Sequence, residues 1–113
     1  MNLRRWDIVY VQAEDKTINV DHPCVVLSHE DLLESPKVLR INVLMGTKKP
    51  PAAGSGANHV LLDEADGLDF PTLVDCSFVL VARKTAITRV AGKVTVFRRQ
   101  EIQRKMRAFL GLG

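Results

Sequence analysis

The sequence has few cysteines, few aromatic residues and no long apolar segment, and each shortage excludes a class of protein. Two cysteines in 113 residues are too few for the disulfide framework of a secreted miniprotein. No segment approaches the ~18 uncharged apolar residues that a membrane helix needs. No apolar run follows the charged N-terminus, so we expect no signal peptide. These absences leave a small cytoplasmic protein.

The chain nevertheless contains enough apolar material to form a core. Hydrophobic residues make up 46% and charged residues 26% of the sequence, which is ordinary for a soluble globular protein and excludes a disordered chain. A chain of 113 residues suffices for one domain and not for two. We therefore interpret residues 1–113 as a single domain.

The net charge of +3 conceals an acidic and a basic part of the chain. Residues 1–82 contain 7 Lys and Arg against 12 Asp and Glu, whereas residues 83–113 contain 9 Lys and Arg against a single acid, Glu101. A basic end of this kind suits a polyanion such as RNA or DNA, or an acidic protein partner. The alternative is a solvated basic helix face, and charge alone does not decide between them.

Short apolar segments rich in β-branched residues predict about six strands. We place them at 7–12, 23–28, 38–45, 59–62, 72–81 and 86–90. A short helix is expected within 29–36, and no alternation of strands and helices indicates a parallel sheet. The predicted fold class is therefore mostly β (α+β), a small antiparallel barrel.

Two further segments complete the predicted organisation. Residues 46–58 are rich in Gly, Pro and Ser and predict a long flexible loop, of a length that is usually functional or disordered. After Gly92 interrupts the strand pattern, a helix follows, with Thr95 as its N-cap and Gly111 at its end. Apolar residues recur along that helix at helical spacing.

Metal and thiol chemistry find little support in the sequence. The chain has no phosphate-binding loop, no dinucleotide fingerprint and no cysteine pair with zinc spacing. The histidines and cysteines lack the i, i+3 spacing that marks a metal site, so we expect neither a metal ion nor another cofactor. Neither Cys24 nor Cys76 has a neighbour in the sequence that would activate a thiolate.

RNA cleavage without a metal needs fewer groups, and the chain can supply them. The reaction requires a base for the 2′-hydroxyl, an acid for the leaving group and a cation at the phosphate. His22 at a strand start, and Thr47 with Lys48 at a strand end, are the residues best suited to these roles. The alternatives are that His22 is a loop residue before a proline, and that Thr47 is a turn residue whose hydroxyl satisfies the backbone.

Four stretches of the sequence resemble the PemK/MazF-like family of toxin ribonucleases. Asp7-Ile-Val-Tyr-Val resembles the opening strand of the family, G-D-I-V followed by an aromatic residue, with Trp6 in place of the glycine. His22-Pro-Cys-Val-Val-Leu-Ser28 resembles its most recognisable string, R-P-V-V-V-L-S. Residues 41–47 resemble the strand that ends in a catalytic Thr or Ser. Residues 72–89 with Gly92 resemble the central strand and the turn before the last helix.

The resemblance implies a fold, an activity and a set of partners. The expected fold is an SH3-like antiparallel barrel with a C-terminal helix, assembled as a homodimer. The expected function is that of the toxin of a type II toxin–antitoxin pair, a metal-independent endoribonuclease that cleaves single-stranded RNA. A small acidic antitoxin would be its partner, and the complex of the two would bind promoter DNA.

The resemblance also assigns candidate site residues. His22 and Thr47 occupy the positions of catalytic residues, and Lys48, Lys49 and Ser77 are candidates for substrate binding. Two departures stand out: His22 replaces a catalytic arginine, and an uncharged run beginning at Ser77 replaces a D-Q-[IV]-R-like run. Either the site is rebuilt from His22 and the two lysines, or the chain is a catalytically silent relative that binds protein or nucleic acid on the same surface. A third interpretation, a generic SH3-like interaction module, has the aromatic content of 5% against it, since grooves for proline-rich ligands are lined with aromatic residues.

Overall fold

The computed structural model describes residues 2–12, 21–48 and 56–112. In this part of the chain, six strands and two α-helices are connected by turns, two of which are single 3₁₀ turns, Glu64–Asp66 and Lys84–Ala86. The strands are β1 (Asp7–Gln12), β2 (Asp21–Val26), β3 (Arg40–Thr47), β4 (His59–Leu62), β5 (Thr72–Arg83) and β6 (Ile87–Lys93). The helices are α1 (Glu30–Glu34) and α2 (Val96–Leu110). Neither helix has the length and apolar character that a bilayer crossing requires.

All six strands belong to one antiparallel sheet with the order β4-β5-β3-β2-β1-β6. The sheet curls into a half-barrel, and α2 packs against β4 and β5. The long strand β5 lies second from one edge of the sheet and pairs with β4 on one side and with β3 on the other. The predicted fold class, mostly β with antiparallel strands and a C-terminal helix, is confirmed.

The core is divided between the two faces of the sheet. Side chains alternate along each strand, so the neighbours Ile8 and Val9 of β1 contribute to different clusters. One cluster includes Ile8 and Ile102 of α2, and it lies between the sheet and that helix. The other includes Val9 and Leu33 of α1. Because both faces of the sheet are covered, the sequences of the strands are nearly continuous apolar runs.

Within the described residues, the six predicted strands are all present and in the predicted order, although their ends differ. β2 begins at Asp21, two residues before the predicted start, and β3 extends to Thr47. The prediction that Gly92 interrupts the last strand is wrong, because Gly92 lies inside β6 and pairs with Ile8 next to a register irregularity. A Cβ at Gly92 would lie 2.1 Å from the carbonyl oxygen of Asp66. Only glycine, which has no Cβ, leaves room for the Asp66 backbone at this position.

The start of α2 differs from the prediction in one respect. Thr95 is the N-cap residue, but its side chain makes no capping hydrogen bond. Its backbone N–H instead donates to Asp66 Oδ1 at 2.9 Å, so the carboxylate that satisfies the helix start comes from the 3₁₀ turn after β4. The predicted helix end is confirmed, because Gly111 adopts the left-handed conformation with φ 69°. Residues 49–55, most of the predicted flexible loop, lie outside the described residues.

Candidate functional site

One end of the sheet collects most of the residues singled out in the sequence. At this end β1 and β3 finish while β2 and β5 begin, because neighbouring strands are antiparallel. The register shows this directly: Gln12 pairs with Asp21, and Thr47 pairs with Leu73. We call this end of the sheet the rim.

The two predicted catalytic residues lie at the rim on neighbouring strands. Cys24 of β2 pairs with Met45 of β3, and His22 and Thr47 each lie two residues beyond that pair, toward the rim. Because side chains two residues apart share a face, His22 lies on the face of Cys24, and Thr47 on that of Met45. The side chain of His22 is half-buried and that of Thr47 is exposed. The paired strands thus carry an imidazole and a hydroxyl to the same end of the sheet from positions 25 residues apart in the chain.

A pocket of about 130 Å³ adjoins His22. Its lining is mostly apolar, and it includes Cys24, Met45 and Leu80. Arg83, from the end of β5, also lines this pocket. Arg83 is a cation that the sequence analysis did not single out, since it is separated from His22 by 61 residues and only the curl of the sheet brings them to one pocket.

The cysteines are unsuited to nucleophilic chemistry. Burial raises the pKa of the Cys24 thiol to about 12 and that of the Cys76 thiol to about 11. Both therefore stay protonated at neutral pH, whereas the thiolate is the reactive form. Cys24 Sγ lies 3.7 Å from the carbonyl oxygen of His22. Within the described residues, no group of three or more His, Cys, Asp or Glu side chains is arranged to hold a metal ion.

Lys48 belongs to a cluster of cations and aromatic rings at the rim, on the face of the sheet opposite to His22. Its Nζ lies 4.8 Å from the centre of the Tyr10 ring and 5.8 Å from that of Phe70. The guanidinium of Arg89 lies 4.2 Å from the centre of the same tyrosine ring. We call Tyr10, Lys48, Phe70 and Arg89 the aromatic–cation cluster. Lys49, the second predicted lysine contact, lies outside the described residues.

Tyr10, Phe70 and Arg89 were not identified from the sequence as site residues. Tyr10 pairs with Arg89 across the β1–β6 register, a contact between residues 79 positions apart. The one local signal was the aromatic residue at the end of the Asp7-Ile-Val-Tyr motif. Phe70 gave no signal, because a single phenylalanine before a proline is most simply a turn residue.

Ser77, the remaining candidate, is engaged elsewhere in the sheet. Its hydroxyl donates to Asp75 Oδ1 at 2.6 Å, and Asn58 Nδ2 donates to the same oxygen at 2.8 Å. Partial burial alone would raise the pKa of Asp75, but the hydrogen bonds from Ser77 and Asn58 outweigh it and lower the pKa. This arrangement faces β4, whose His59 pairs with Asp75. Strand β3 therefore separates Ser77 from His22, and the structure does not bring these two candidates together.

The fold itself uses several cations of the basic C-terminal part. Lys84 Nζ donates to three carbonyl oxygens at the end of α1, at 2.9–3.0 Å. Arg98 is bound by Asp63 and Asp66, and Lys105 donates to the carbonyl oxygen of His59. The count of positive charges in the sequence therefore overstates the basic surface that a partner could meet.

Comparison with known proteins shows what this geometry resembles. No family model and no curated protein matches the sequence, but solved structures match its fold. The Mycobacterium tuberculosis toxin MazF-mt6 superposes with a TM-score of 0.74 at 17% identity, over 93% of this chain and 96% of that one. The fold is that of the MazF toxins. An endoribonuclease in complex with its cognate antitoxin, from a mycobacterial species, superposes with a TM-score of 0.75 at 14% identity, over 97% of this chain and 94% of that one.

The resemblance found in the sequence is thus confirmed for the fold. The MazF-like fold covers almost the whole chain. At 14–17% identity the likeness concerns the backbone, so the roles of individual side chains depend on the geometry described above.

Proposed function

We propose that this chain is the toxin of a toxin–antitoxin pair and cleaves single-stranded RNA without a metal ion. The observation that supports the proposal is the pairing of β2 with β3, since His22 and Thr47 each lie at the rim, two residues beyond the Cys24–Met45 pair. This pairing occurs in a MazF-like fold that extends over nearly the whole chain. Lys48 and Arg83 supply positive charge on either side of His22 and Thr47.

The reaction follows from the chemistry of these groups. The imidazole of His22 accepts the proton of a ribose 2′-hydroxyl, whose oxygen attacks the adjacent phosphorus. The bond from phosphorus to the 5′-oxygen breaks, and the protonated imidazole returns its proton to that oxygen. The products are a 2′,3′-cyclic phosphate and a 5′-hydroxyl. The hydroxyl of Thr47 donates to a non-bridging phosphate oxygen, and Arg83, which lines the same pocket as His22, stabilises the charge that develops there.

The proposal includes the partners implied by the resemblance. Exposed apolar side chains on and near β5 support a homodimer: Leu39 is 71%, Val81 64% and Phe78 59% exposed. The exposed Arg104 and Arg107 of α2 suit a small acidic antitoxin. Binding of the toxin–antitoxin complex to promoter DNA and a location in the cytoplasm, where messenger RNA is translated, belong to the same proposal.

The alternative is a catalytically silent relative that binds protein or nucleic acid. Two observations favour it. A histidine stands where the family has an arginine, and it lacks the permanent charge and forked donors of a guanidinium. The hydroxyl of Ser77 is already bound to Asp75, which leaves β5 without a free polar group at that position.

Cleavage of a long single-stranded RNA by the purified protein tests the proposal. We expect fragments with 2′,3′-cyclic phosphate ends, formed at the same rate with and without EDTA. Thr47→Ala should lower the rate by about 10²-fold, the effect of removing one donor to the developing charge. Thr95→Ala is the matched control, because the Thr95 side chain makes no capping hydrogen bond, and it should leave the rate unchanged. Absence of cleavage by the wild-type protein would favour the silent relative.

A further inference from the structure

The aromatic–cation cluster combines a buried aromatic ring, an exposed aromatic ring and two exposed cations. Tyr10 is buried, with 6% of its surface exposed, whereas 57% of Phe70 is exposed. Lys48 and Arg89 are both exposed and both lie over the Tyr10 ring. The exposed phenylalanine ring beside Lys48, with Arg89 on the neighbouring tyrosine ring, presents a flat apolar face close to positive charge.

The two cations of the cluster have no anionic partner among the described residues. The ion pairs in this part of the chain involve other cations, namely His29, Lys93, Arg98 and Lys105. The contacts of Lys48 and Arg89 are with the faces of aromatic rings. Such contacts hold a cation in place without neutralising its charge, so both remain able to bind an external anion.

We propose that the aromatic–cation cluster is a nucleotide-binding subsite for single-stranded RNA. In this subsite a base stacks on Phe70, and the adjoining phosphate binds Lys48 and Arg89. Proteins that bind single strands combine aromatic stacking platforms with cations along the backbone in this way. The inference rests on the proposed function, since it takes the RNA that is cleaved at His22 and Thr47 to be the ligand.

The position of the cluster connects it to the cleavage site. Lys48 follows Thr47 directly in the chain, and Tyr10 pairs with Pro23, the neighbour of His22. Because successive residues of a strand point to opposite faces, the cluster and the His22–Thr47 pair lie on opposite faces of one rim. A single strand that crosses the rim would meet both. The buried Tyr10 ring fixes the two cations beforehand, which reduces the entropy lost on binding.

An oligonucleotide that cannot be cleaved separates binding from catalysis. The probe is a fluorescein-labelled single strand with 2′-O-methyl riboses, because it has no free 2′-hydroxyl to attack the phosphate. We expect Phe70→Ala to weaken its binding, measured by fluorescence anisotropy, by about tenfold, the scale of one base stacked on an aromatic ring. Phe70→Tyr should retain the affinity of the wild type.

The matched control is Phe97→Ala. Phe97 is 78% exposed and lies on α2, outside the cluster, and its loss should leave the affinity unchanged. Equal affinities for Phe70→Ala and the wild type would overturn the subsite, and so would an equal loss in the two alanine variants. Poly-glutamate that binds with the same dependence on Phe70 would identify a protein-docking surface instead, and the proposal would be wrong.

Salt dependence distinguishes the stacking residue from the phosphate contact. For single strands, the slope of log K against log salt changes by about 0.7 for each phosphate contact. Arg89→Gln should therefore make the slope shallower by about 0.7, whereas Phe70→Ala should not change it. A slope unaffected by Arg89→Gln contradicts the phosphate contact.

The two proposals fail separately. If the wild-type protein cleaves RNA while Phe70→Ala binds the probe normally, the subsite is refuted and the nuclease stands. If the wild-type protein binds the probe through Phe70 and cleaves no RNA, the nuclease is refuted and the subsite stands.

Discussion

Arg98 binds Asp63 through two parallel hydrogen bonds, Nη1 to Oδ1 at 2.7 Å and Nη2 to Oδ2 at 3.0 Å. Arg98 also binds Asp66, whose buried carboxylate accepts the Thr95 N–H and the Asp63 N–H. The turn after β4 is thereby attached to the first turn of α2. A positive side chain near the start of a helix is mildly unfavourable by itself, and the two carboxylates offset that effect here.

The Arg98–Asp63 pair makes the stability of the folded protein depend on pH in the acid range. The hydrogen bond from Arg98 holds the pKa of Asp63 at about 2, below its ordinary 3.8. A lowered pKa stabilises the folded state above the unfolded value and ceases to do so as pH falls through the folded value. We expect Asp63→Asn to lower Tm at pH 7, and the difference from the wild type to disappear between about pH 4 and about pH 2.

The control for that experiment is Asp69→Asn, because Asp69 is exposed and carries the same charge in the same segment. Thermal melts of the three proteins from neutral to acid pH decide the matter. A difference between Asp63→Asn and the wild type that persists unchanged in acid would show that the carboxylate charge is not involved.

Gly92 is required by the backbone that passes over it. A Cβ at this position would lie 2.1 Å from the Asp66 carbonyl oxygen and 3.1 Å from Gly67 Cα, and backbone atoms cannot rotate aside as a side chain can. We expect Gly92→Ala to lower the free energy of unfolding by about 3 kcal/mol, at the upper end of overpacking costs. Urea denaturation measures this.

Gly111→Ala provides the comparison. A Cβ at Gly111 meets nothing within 4 Å, so its cost comes only from the positive φ, about 1 kcal/mol. If the two alanine variants lose equal stability, close approach to the Asp66 backbone is not what requires glycine at position 92.

Gly92 also shows how far the fold could be predicted from the sequence. The strands were predictable, because apolar runs of strand length reflect burial on one or both faces, which is a local property. The place of Gly92 inside β6 was not, since the backbone it admits belongs to Asp66, 26 residues earlier. The start of α2 also depends on a residue far away in the sequence. The sequence predicted Thr95 as the N-cap, but the structure shows its backbone N–H donating to the carboxylate of Asp66, 29 positions earlier.

The sequence could predict only those site residues that belong to recognisable motifs. His22 and Thr47 were identified by resemblance, and the pairing of β2 with β3 carries both residues to the rim. Ser77 was assigned by its place in a run, and no local pattern indicated that Asp75 and Asn58 would bind it. The ring contacts of Tyr10 join strands at opposite ends of the chain, and only the folded sheet reveals them.

Dimerisation is expected from the exposed apolar surface near β5. Sedimentation should show a dimer at micromolar concentration, and Val81→Asp should shift it toward monomer, because a charge buried in an interface without a partner is costly. Val96→Asp is the matched control, since both valines are 64% exposed but Val96 lies on α2. A wild-type protein that sediments only as a monomer, or equal effects of the two variants, would contradict this interface.

RNA cleavage by a His22 variant decides between an active nuclease and a silent relative. If His22 transfers protons, His22→Ala should lower RNA cleavage by about 10²-fold or more, the usual contribution of a general acid or base. The rate of the wild-type protein should then depend on pH, since proton transfer requires His22 in the correct protonation state, and chelators should not affect it. The measurement is the initial rate of cleavage of one long single-stranded RNA across a pH series.

His22→Arg distinguishes a rebuilt site from a weakened one. Arginine cannot exchange protons near neutral pH, but it offers a permanent charge to the developing oxyanion. If His22 acts as acid and base, the arginine variant should lose both activity and the pH dependence. If the family mechanism has only been weakened by the loss of its arginine, the same variant should cleave faster than the wild type. When neither protein cleaves any RNA, the nuclease proposal fails, and the chain is a binding relative whose affinity for nucleic acid should fall steeply with added salt.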